Sequence, residues 1–393
     1  MAASPSAAER DPVAAAIFEA IELLATRVPL HPLGNAEEMS ERDEAQGARS
    51  AATETYRIDR RGSEHRATQR FARAANYSAF PLRLVLGFSG GVDSTVLLHA
   101  LAEARAEFPL ELKAVHVHHG LLEQADAWVE EARAHCASLG VPLQVAYVRV
   151  QPDGRGLEAA ARSARLRALA AVPGDALVLA QHRDDQAETV LFRLLRGSGV
   201  AGLAAMRPIA PAPLAGAAAP WWLRPFLDLP KETLIAWARE RGLNWVEDPS
   251  NASADFTRNW LRGEILPQLE ERLPGVRTVL ARTAETMAEA QQGLDDLAAL
   301  DDERVGHPQG GWDWAEFLRL PVHRQKNLVR WATLRLPALP PTQRRLEEGL
   351  RQAADYAGGV WRFPLGEAWL CARGERLWVE AAPQGCDAAH RCG

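Results

Sequence analysis

The densest chemistry in this chain lies in one turn, Ser89-Gly90-Gly91-Val92-Asp93-Ser94. An apolar run, Leu84–Phe88, enters it, and Val96, Leu97, Leu98 and Leu101 follow at helical spacing. A strand feeding a glycine turn into a helix N-terminus leaves backbone N–H groups pointing outward, and the helix dipole adds positive potential there. Such a turn binds phosphate. Gly90 and Gly91 let the backbone come close, Val92 continues the turn, Ser89 and Ser94 offer hydroxyls, and Asp93 can hold Mg²⁺. The Gly-Lys-Ser/Thr ending of a Walker A loop is missing.

Three further clusters carry polar groups suited to work beside a phosphate. His116-Val117-His118-His119 ends a predicted strand; alternation separates the histidines, so a nucleotide-facing edge with His116 fits better than a metal cluster. Gln181-His182-Arg183-Asp184-Asp185-Gln186-Ala187-Glu188-Thr189 follows another strand. Its acids suit Mg²⁺ and an amine, and His182 or a carboxylate suits a base. A plainer reading makes Asp185 an N-cap with Glu188 three residues on. Thr257-Arg258-Asn259-Trp260-Leu261-Arg262 places two arginines four apart at a helix start, as a grip on phosphate or as a solvated basic face.

The elements that must position these groups alternate. Strands are expected at Leu82–Phe88, Leu112–His118, Leu143–Val150 and Ala176–Ala180, with helices at Thr95–Ala106, Ala125–Leu139 and Leu157–Ala171. Short Val/Leu-rich strands between such helices imply an α/β fold: a twisted parallel sheet covered on both faces, with ligands beyond the strand C-termini. Before it, residues 1–80 read as a largely disordered extension, with one amphipathic helix over 12–28 (Val13, Ile17, Ile21, Leu24). Residues 81–225 are expected to form the catalytic domain around the phosphate turn. Residues 226–305 form a helical subdomain and connector, with helices at Lys231–Arg241, Asn259–Arg272 and Gly275–Arg304. A small α+β domain spans 306–382, with helices near Trp314–Leu334 and Pro341–Tyr356 and strands near Trp361–Pro364, Ala368–Ala372 and Arg376–Glu380; 383–393 is a tail.

Taken in order, Ser89–Ser94, His116–Leu121, His182–Thr189, Arg196–Leu203, Arg224-Pro225-Phe226, Asp248–Asn251 and Thr257–Arg262 resemble the tRNA(Ile)-lysidine synthetase family. The first of them resembles the PP-loop of ATP pyrophosphatases, of adenine-nucleotide alpha-hydrolase-like fold. The resemblance implies ATP and Mg²⁺ as cofactors, and free L-lysine and a CAU-anticodon isoleucine tRNA as substrates. The wobble cytidine would be adenylated with release of pyrophosphate, and the lysine amine would then displace AMP to give lysidine. It implies that Ser89–Ser94 and His116 bind the nucleotide and that Asp93 and Asp185 hold the metal. Asp184, Glu188, Asn259 and Arg262 would bind substrates, and Asp93, His182, Asp185 and Arg258 would act in catalysis. Many long members carry a second C-terminal domain beyond the point where this sequence stops, which bears on acceptor-stem discrimination; residues 1–80 match nothing in the family pattern.

Composition bounds the alternatives. A net charge of −6 excludes a globally basic nucleic-acid binder, though not a local basic face. Arg319, Arg324, Lys326, Arg330, Arg335, Arg344, Arg345 and Arg351 form such a candidate face for tRNA, interleaved with Trp312, Trp314 and Trp331, most of which are expected to build the small core. Cys136, Cys371, Cys386 and Cys392 show neither a Cys-x-x-Cys pair nor zinc spacing, as expected of a reducing, cytoplasmic protein. No apolar stretch approaches the roughly 20 residues that span a bilayer, so no membrane partner is expected. A homodimer is compatible with the sequence. A tRNA thiolase would want reactive cysteines near the core, an amidotransferase-type synthetase a glutaminase domain, and a silent tRNA binder would not need intact Ser89–Ser94 and Asp184–Glu188.

Overall fold

The computed structural model describes residues 11–28, 81–120, 124–149, 157–212, 217–246, 257–336 and 341–382. The disorder expected before residue 81, Leu121, the turn at 247–251 and the tail 383–393 fall outside them, apart from the helix at 12–28.

The chain forms two compact units, and the division falls inside a helix, after Asp185. The first unit is built on a six-stranded sheet. Its strands are β1 (Leu82–Gly87), β2 (Leu110–His118), β3 (Leu143–Tyr147), β4 (Ala176–Val178), β5 (Ile209–Pro211) and β6 (Trp221–Leu223), in the order β3-β2-β1-β4-β6-β5. All neighbours are parallel except β5 on β6. The parallel sheet read from the sequence is therefore present. The β5/β6 pair is an addition to the expected strands; strands of three residues leave little periodicity to detect.

Helices of this unit include α1 (Pro12–Ala25), α2 (Val92–Ala104), α3 (Ala125–Ser138) and α4 (Leu157–Ala170). Helix α2 starts earlier than its apolar periodicity suggests, because the turn Gly90-Gly91 runs directly into the first helical residue, Val92. The N-terminal helix is not an appendage. Val13, Ile17, Ile21 and Leu24 are fully buried in the same core as Leu84, Leu86, Leu97 and Leu101. A helix α7 (Lys231–Glu240) buries Leu234, Trp237 and Ala238 there too. Helix α7 therefore packs with the sheet of the first unit.

Helix α5 (Arg183–Leu195) begins in the first unit and continues into the second, which also holds α6 (Val200–Leu203), α9 (Leu266–Arg272) and α10 (Val276–Val305); α8 (Thr257–Trp260) lies in the first unit up to Asn259. Between α8 and α9, Leu261–Ile265 form a π-helical turn, so the single helix expected over 259–272 is interrupted. Leu191, Leu261 and Leu266 make a small core with Phe192, Ile265, Leu269 and Leu280.

A larger core of the second unit lies on an antiparallel sheet of order β7-β10-β9-β8: β7 (Trp312–Asp313), β8 (Val360–Pro364), β9 (Ala368–Arg373) and β10 (Arg376–Ala381). Helices α11 (Trp314–Arg319), α12 (Val322–Thr333) and α13 (Gln343–Ala354) accompany it. The one helix expected over 314–334 is two, because Pro321 forces Leu320 into an extended conformation (φ −65°, ψ 141°). Trp312 is core, stacked on Phe317 at 5.3 Å, and Trp314 and Trp331 pack against that core.

Candidate active site

In an open α/β sheet, ligands bind where the strand order reverses. Here β2 and β3 lie on one side of β1 and β4 on the other, so the reversal falls between β1 and β4. The turn after β1 is Ser89–Ser94, and the segment after β4 carries Gln181–Asp185. Topology alone brings these two motifs to one crevice.

The turn is held by its own hydroxyls. Ser94 Oγ donates to Gly91 O at 3.0 Å and accepts from Ser89 N at 3.2 Å. A hydroxyl has one proton, so the 3.1 Å contact between the two serine oxygens is a donation by Ser89. Gly90 has φ +85°, a conformation that L side chains adopt at a cost, whereas Gly91 has an ordinary φ of −70°. His116, at the end of β2, donates from Nδ1 to Phe88 O at 3.0 Å and so fixes the strand where it enters the turn. Burial holds the His116 imidazole below its ordinary pKa, outweighing the bond to Phe88, with His118 and His119 adding to the depression. His116 is therefore a neutral brace of the loop.

His182 is the centre of the acid cluster. Its Nε2 lies 3.6 Å from Asp93 Oδ2 and 3.4 Å from Asp185 Oδ2, and its Nδ1 lies 3.6 Å from Asp184 Oδ2. Burial opposes charge on this ring, yet Asp93, Asp185 and Asp184 together hold its pKa above the ordinary value. Asp185 Oδ2 also accepts the backbone N–H of His182 at 3.1 Å. That bond is the backward half of a capping box, displaced three residues from the one expected with Asp185 as N-cap. Asp184 Oδ2 accepts the N–H of Lys231, the first residue of α7, at 3.0 Å. Asp93 Oδ1 is buried without a hydrogen-bond partner.

Sequence reasoning missed two supports. Buried Arg224, one residue past β6, donates from Nε to the side-chain oxygen of Gln181, next to His182. Gln186 makes a two-way amide clasp, donating to Met206 O at 2.8 Å and accepting from Met206 N at 3.0 Å. A buried amide beside an acidic motif is the only signal the sequence carried for the second.

The remaining candidates divide. Glu188 is buried and its Oε2 accepts two N–H groups of Arg262, from Nε at 2.9 Å and from the terminal nitrogen at 2.7 Å. These two expected substrate contacts are thus each other's partners. Arg258 and Asn259 lie in α8, within the first unit. Among the described residues, no group of three or more His, Cys, Asp or Glu is arranged as a metal cage.

Several residues of the basic face expected in the small domain have acidic or polar neighbours, while Arg319 and Arg351 stay exposed. Arg319 pairs with Glu316, Arg324 with Asp301, Lys326 with Glu347, Arg330 with Gln343 and Arg351 with Glu348. Arg335 lies over the Trp331 ring at 3.2 Å. No helix among the described residues is long and apolar enough to cross a membrane.

Comparison with known proteins agrees with this layout. Residues 58–269 match the PP-loop domain family, which thus reaches back into the segment before 81 expected to match nothing, and residues 313–378 match the TilS substrate binding domain. The tRNA(Ile)-lysidine synthase of Azoarcus sp. (strain BH72) is 47% identical over 299 residues, 76% of this chain and 65% of that protein. That of Aromatoleum aromaticum is 42% identical over 306 residues, covering 77% and 70%, and that of Pseudomonas aeruginosa 43% over 325 residues, covering 76% and 72%. The chain spans 65% to 72% of the length of these relatives. With both family domains in order and the phosphate loop facing the acid–histidine cluster, the chain belongs to the tRNA(Ile)-lysidine synthase family.

Proposed function

We propose that this chain makes lysidine: it adenylates the wobble cytidine of a CAU-anticodon isoleucine tRNA with ATP, and the side-chain amine of free lysine then displaces AMP. The observation that carries the reading is the approach of Asp93, from the phosphate loop, to His182 and its acids. Phosphate chemistry and amine chemistry thereby share one crevice.

The first step needs pyrophosphate held as a leaving group. The α2 N-terminus and the Ser89–Ser94 turn supply N–H and O–H donors for its charge. Mg²⁺ fits at Asp93, where a buried carboxylate oxygen is otherwise left unsatisfied, with Asp185 as the second candidate ligand. Such an ion takes one or two carboxylates and completes its shell with water and phosphate, and it would neutralise charge on the departing pyrophosphate. The second step needs an amine without its proton. Asp184 and Asp185 attract the lysine ammonium. His182, whose pKa the carboxylates of Asp93, Asp185 and Asp184 raise, is the candidate to take the proton. Arg258 is assigned to phosphate charge or the adenylated cytidine, and Asn259 to substrate.

The test is AMP release and labelled-lysine incorporation with ATP, Mg²⁺ and a CAU isoleucine tRNA transcript, beside one of different wobble base. Incorporation restricted to the CAU transcript is expected. AMP release without incorporation would move the substrate elsewhere, and a folded protein without turnover would refute the proposal.

A further inference from the structure

We propose that Asp11, in the N-terminal segment, is a positioning residue for the adenylation site, and the inference rests on the function proposed above. Asp11 divides its carboxylate between two tasks. Its Oδ1 caps α1, accepting from Val13 N at 2.9 Å and Ala14 N at 3.2 Å. Its Oδ2 accepts Trp237 Nε1 at 2.8 Å and an Arg241 terminal nitrogen at 2.9 Å, both at the C-terminal end of α7. Arg241 lies over the Trp237 ring at 3.8 Å and reaches Glu103, near the end of α2, at 3.7 Å. One side chain thus ties the far ends of α1, α7 and, through Arg241, α2.

The near ends of α2 and α7 both start at the site. Helix α2 begins at the phosphate loop and carries Asp93 in its first turn. Helix α7 begins with Lys231, whose N–H holds Asp184 against His182. The Asp93–His182–Asp184 arrangement therefore depends on how α2 and α7 are set against each other, and Asp11 closes that setting from the opposite end. Ten helical residues separate the two ends of α7, about 15 Å of rigid rod.

A distinctive kinetic signature follows. The phosphate loop is held mainly by β1, the start of α2 and its own serine bonds, with Val246 N donating to Gly90 O at 2.9 Å, so ATP binding should suffer far less than turnover from loss of the tie. The approach of Asp93 to the His182 cluster needs both helices, so turnover should fall. A misplacement of about 1 Å can cost about a hundredfold in rate.

The variants are Asp11→Ser, which keeps an N-cap oxygen but loses the reach to α7, and Trp237→Phe, which keeps the ring and removes the donor. Asp175→Ser is the control. Asp175 accepts Arg83 N at 2.8 Å and an Arg83 terminal nitrogen at 2.9 Å where β1 and β4 begin, at the sheet edge opposite the site. In full-length protein well below its Tm, Asp11→Ser and Trp237→Phe should lower kcat about tenfold or more with KM for ATP within about twofold. Asp175→Ser should lower Tm alone. Hydrogen exchange at the Lys231 amide gives a readout that does not need activity: protection should fall in the two α7-tie variants and persist in the control. Wild-type exchange at Lys231, or lost protection with unchanged kcat, would overturn the proposal. Absence of turnover in the unmutated protein would refute the proposed function and leave exchange to decide this one.

Discussion

Asp185 Oδ2 serves both parts of His182: it accepts the backbone N–H at 3.1 Å and stands 3.4 Å from Nε2 of the ring. Backbone position and ring environment are therefore set by the same atom. Asp185→Asn keeps an oxygen for the backbone bond and removes the charge. Its Tm should stay within a few degrees of wild type while lysidine formation falls at least tenfold, because charge, not the cap, is what the ring and the metal need. A wild-type rate in Asp185→Asn would remove Asp185 from the catalytic set.

Protonation of His182 gives a pH test whose sign is fixed. A folded pKa above the unfolded value, near 6.5, makes protonation stabilising. That contribution is fully present below the unfolded pKa and is lost as pH rises through the folded one. In Mg²⁺-free buffer, the stability advantage of wild type over His182→Asn should be greatest below about pH 6 and should shrink as the solution turns alkaline. Urea unfolding of both proteins across that range measures it. A difference that grows with pH would mean the ring is buried neutral.

Adjacent glycines of the phosphate loop should respond differently to alanine. Gly90 sits at φ +85°, so Gly90→Ala carries left-handed strain of about 1–2 kcal/mol and should lower Tm as well as ATP affinity. Its added Cβ would meet Val246 only at ordinary contact distance, so the cost is backbone strain, not a clash. Gly91 has φ −70° and room beside Ser89 Oγ, so Gly91→Ala should keep its Tm. Thermal melts of the two variants with and without ATP separate the effects.

What the sequence revealed tracks how local each signal is. Ser89–Ser94, the strands from β1 to β4 and the acids after β4 are written in contiguous residues, and alternating strand and helix patterns imply the parallel sheet. The pairing of Glu188 with Arg262 links distant positions and leaves no periodic trace. Nor does the amide clasp of Gln186 on Met206. The helix at 12–25 was readable as a helix, but its place in the sheet core was not, because docking depends on complementary surfaces on α2 and α7. The small domain shows a related limit: composition counts charges, and only geometry pairs Arg324 with Asp301 or Lys326 with Glu347.

The Glu188–Arg262 pair predicts asymmetric mutational costs. Glu188 is 2% exposed, whereas the Arg262 side chain remains 46% accessible. Removing the arginine takes the charge-balancing partner from a buried carboxylate, which costs about 3–5 kcal/mol when both partners are dry. Solvent at Arg262 reduces that to about 1–3 kcal/mol. Glu188→Gln leaves no charge behind and should cost less. In the double variant, Arg262→Ala should add little to Glu188→Gln, a coupling that denaturant titration of the four proteins would reveal. Additive costs would mean that Arg262 stabilises through other contacts.

Ala205 is the one non-glycine with positive φ among the described residues, at +47°. Around it, Gln186 clasps Met206 and Arg193 donates to Gly202 O at 2.8 Å and Ala205 O at 3.2 Å. These bonds hold the turn in a conformation that alanine resists by about 1–2 kcal/mol. Ala205→Gly relieves the strain but loosens the unfolded chain by about 0.4–1 kcal/mol, so a small net gain in Tm is expected. Gln186→Ala should cost about 1–3 kcal/mol, since it leaves the N–H and carbonyl of Met206 without their amide partner. Without the clasp the turn can relax out of the left-handed region, and glycine at 205 then has less strain to relieve. The stabilisation by Ala205→Gly should therefore shrink in the Gln186→Ala background. An equal gain in both backgrounds would show that something other than Gln186 enforces the conformation.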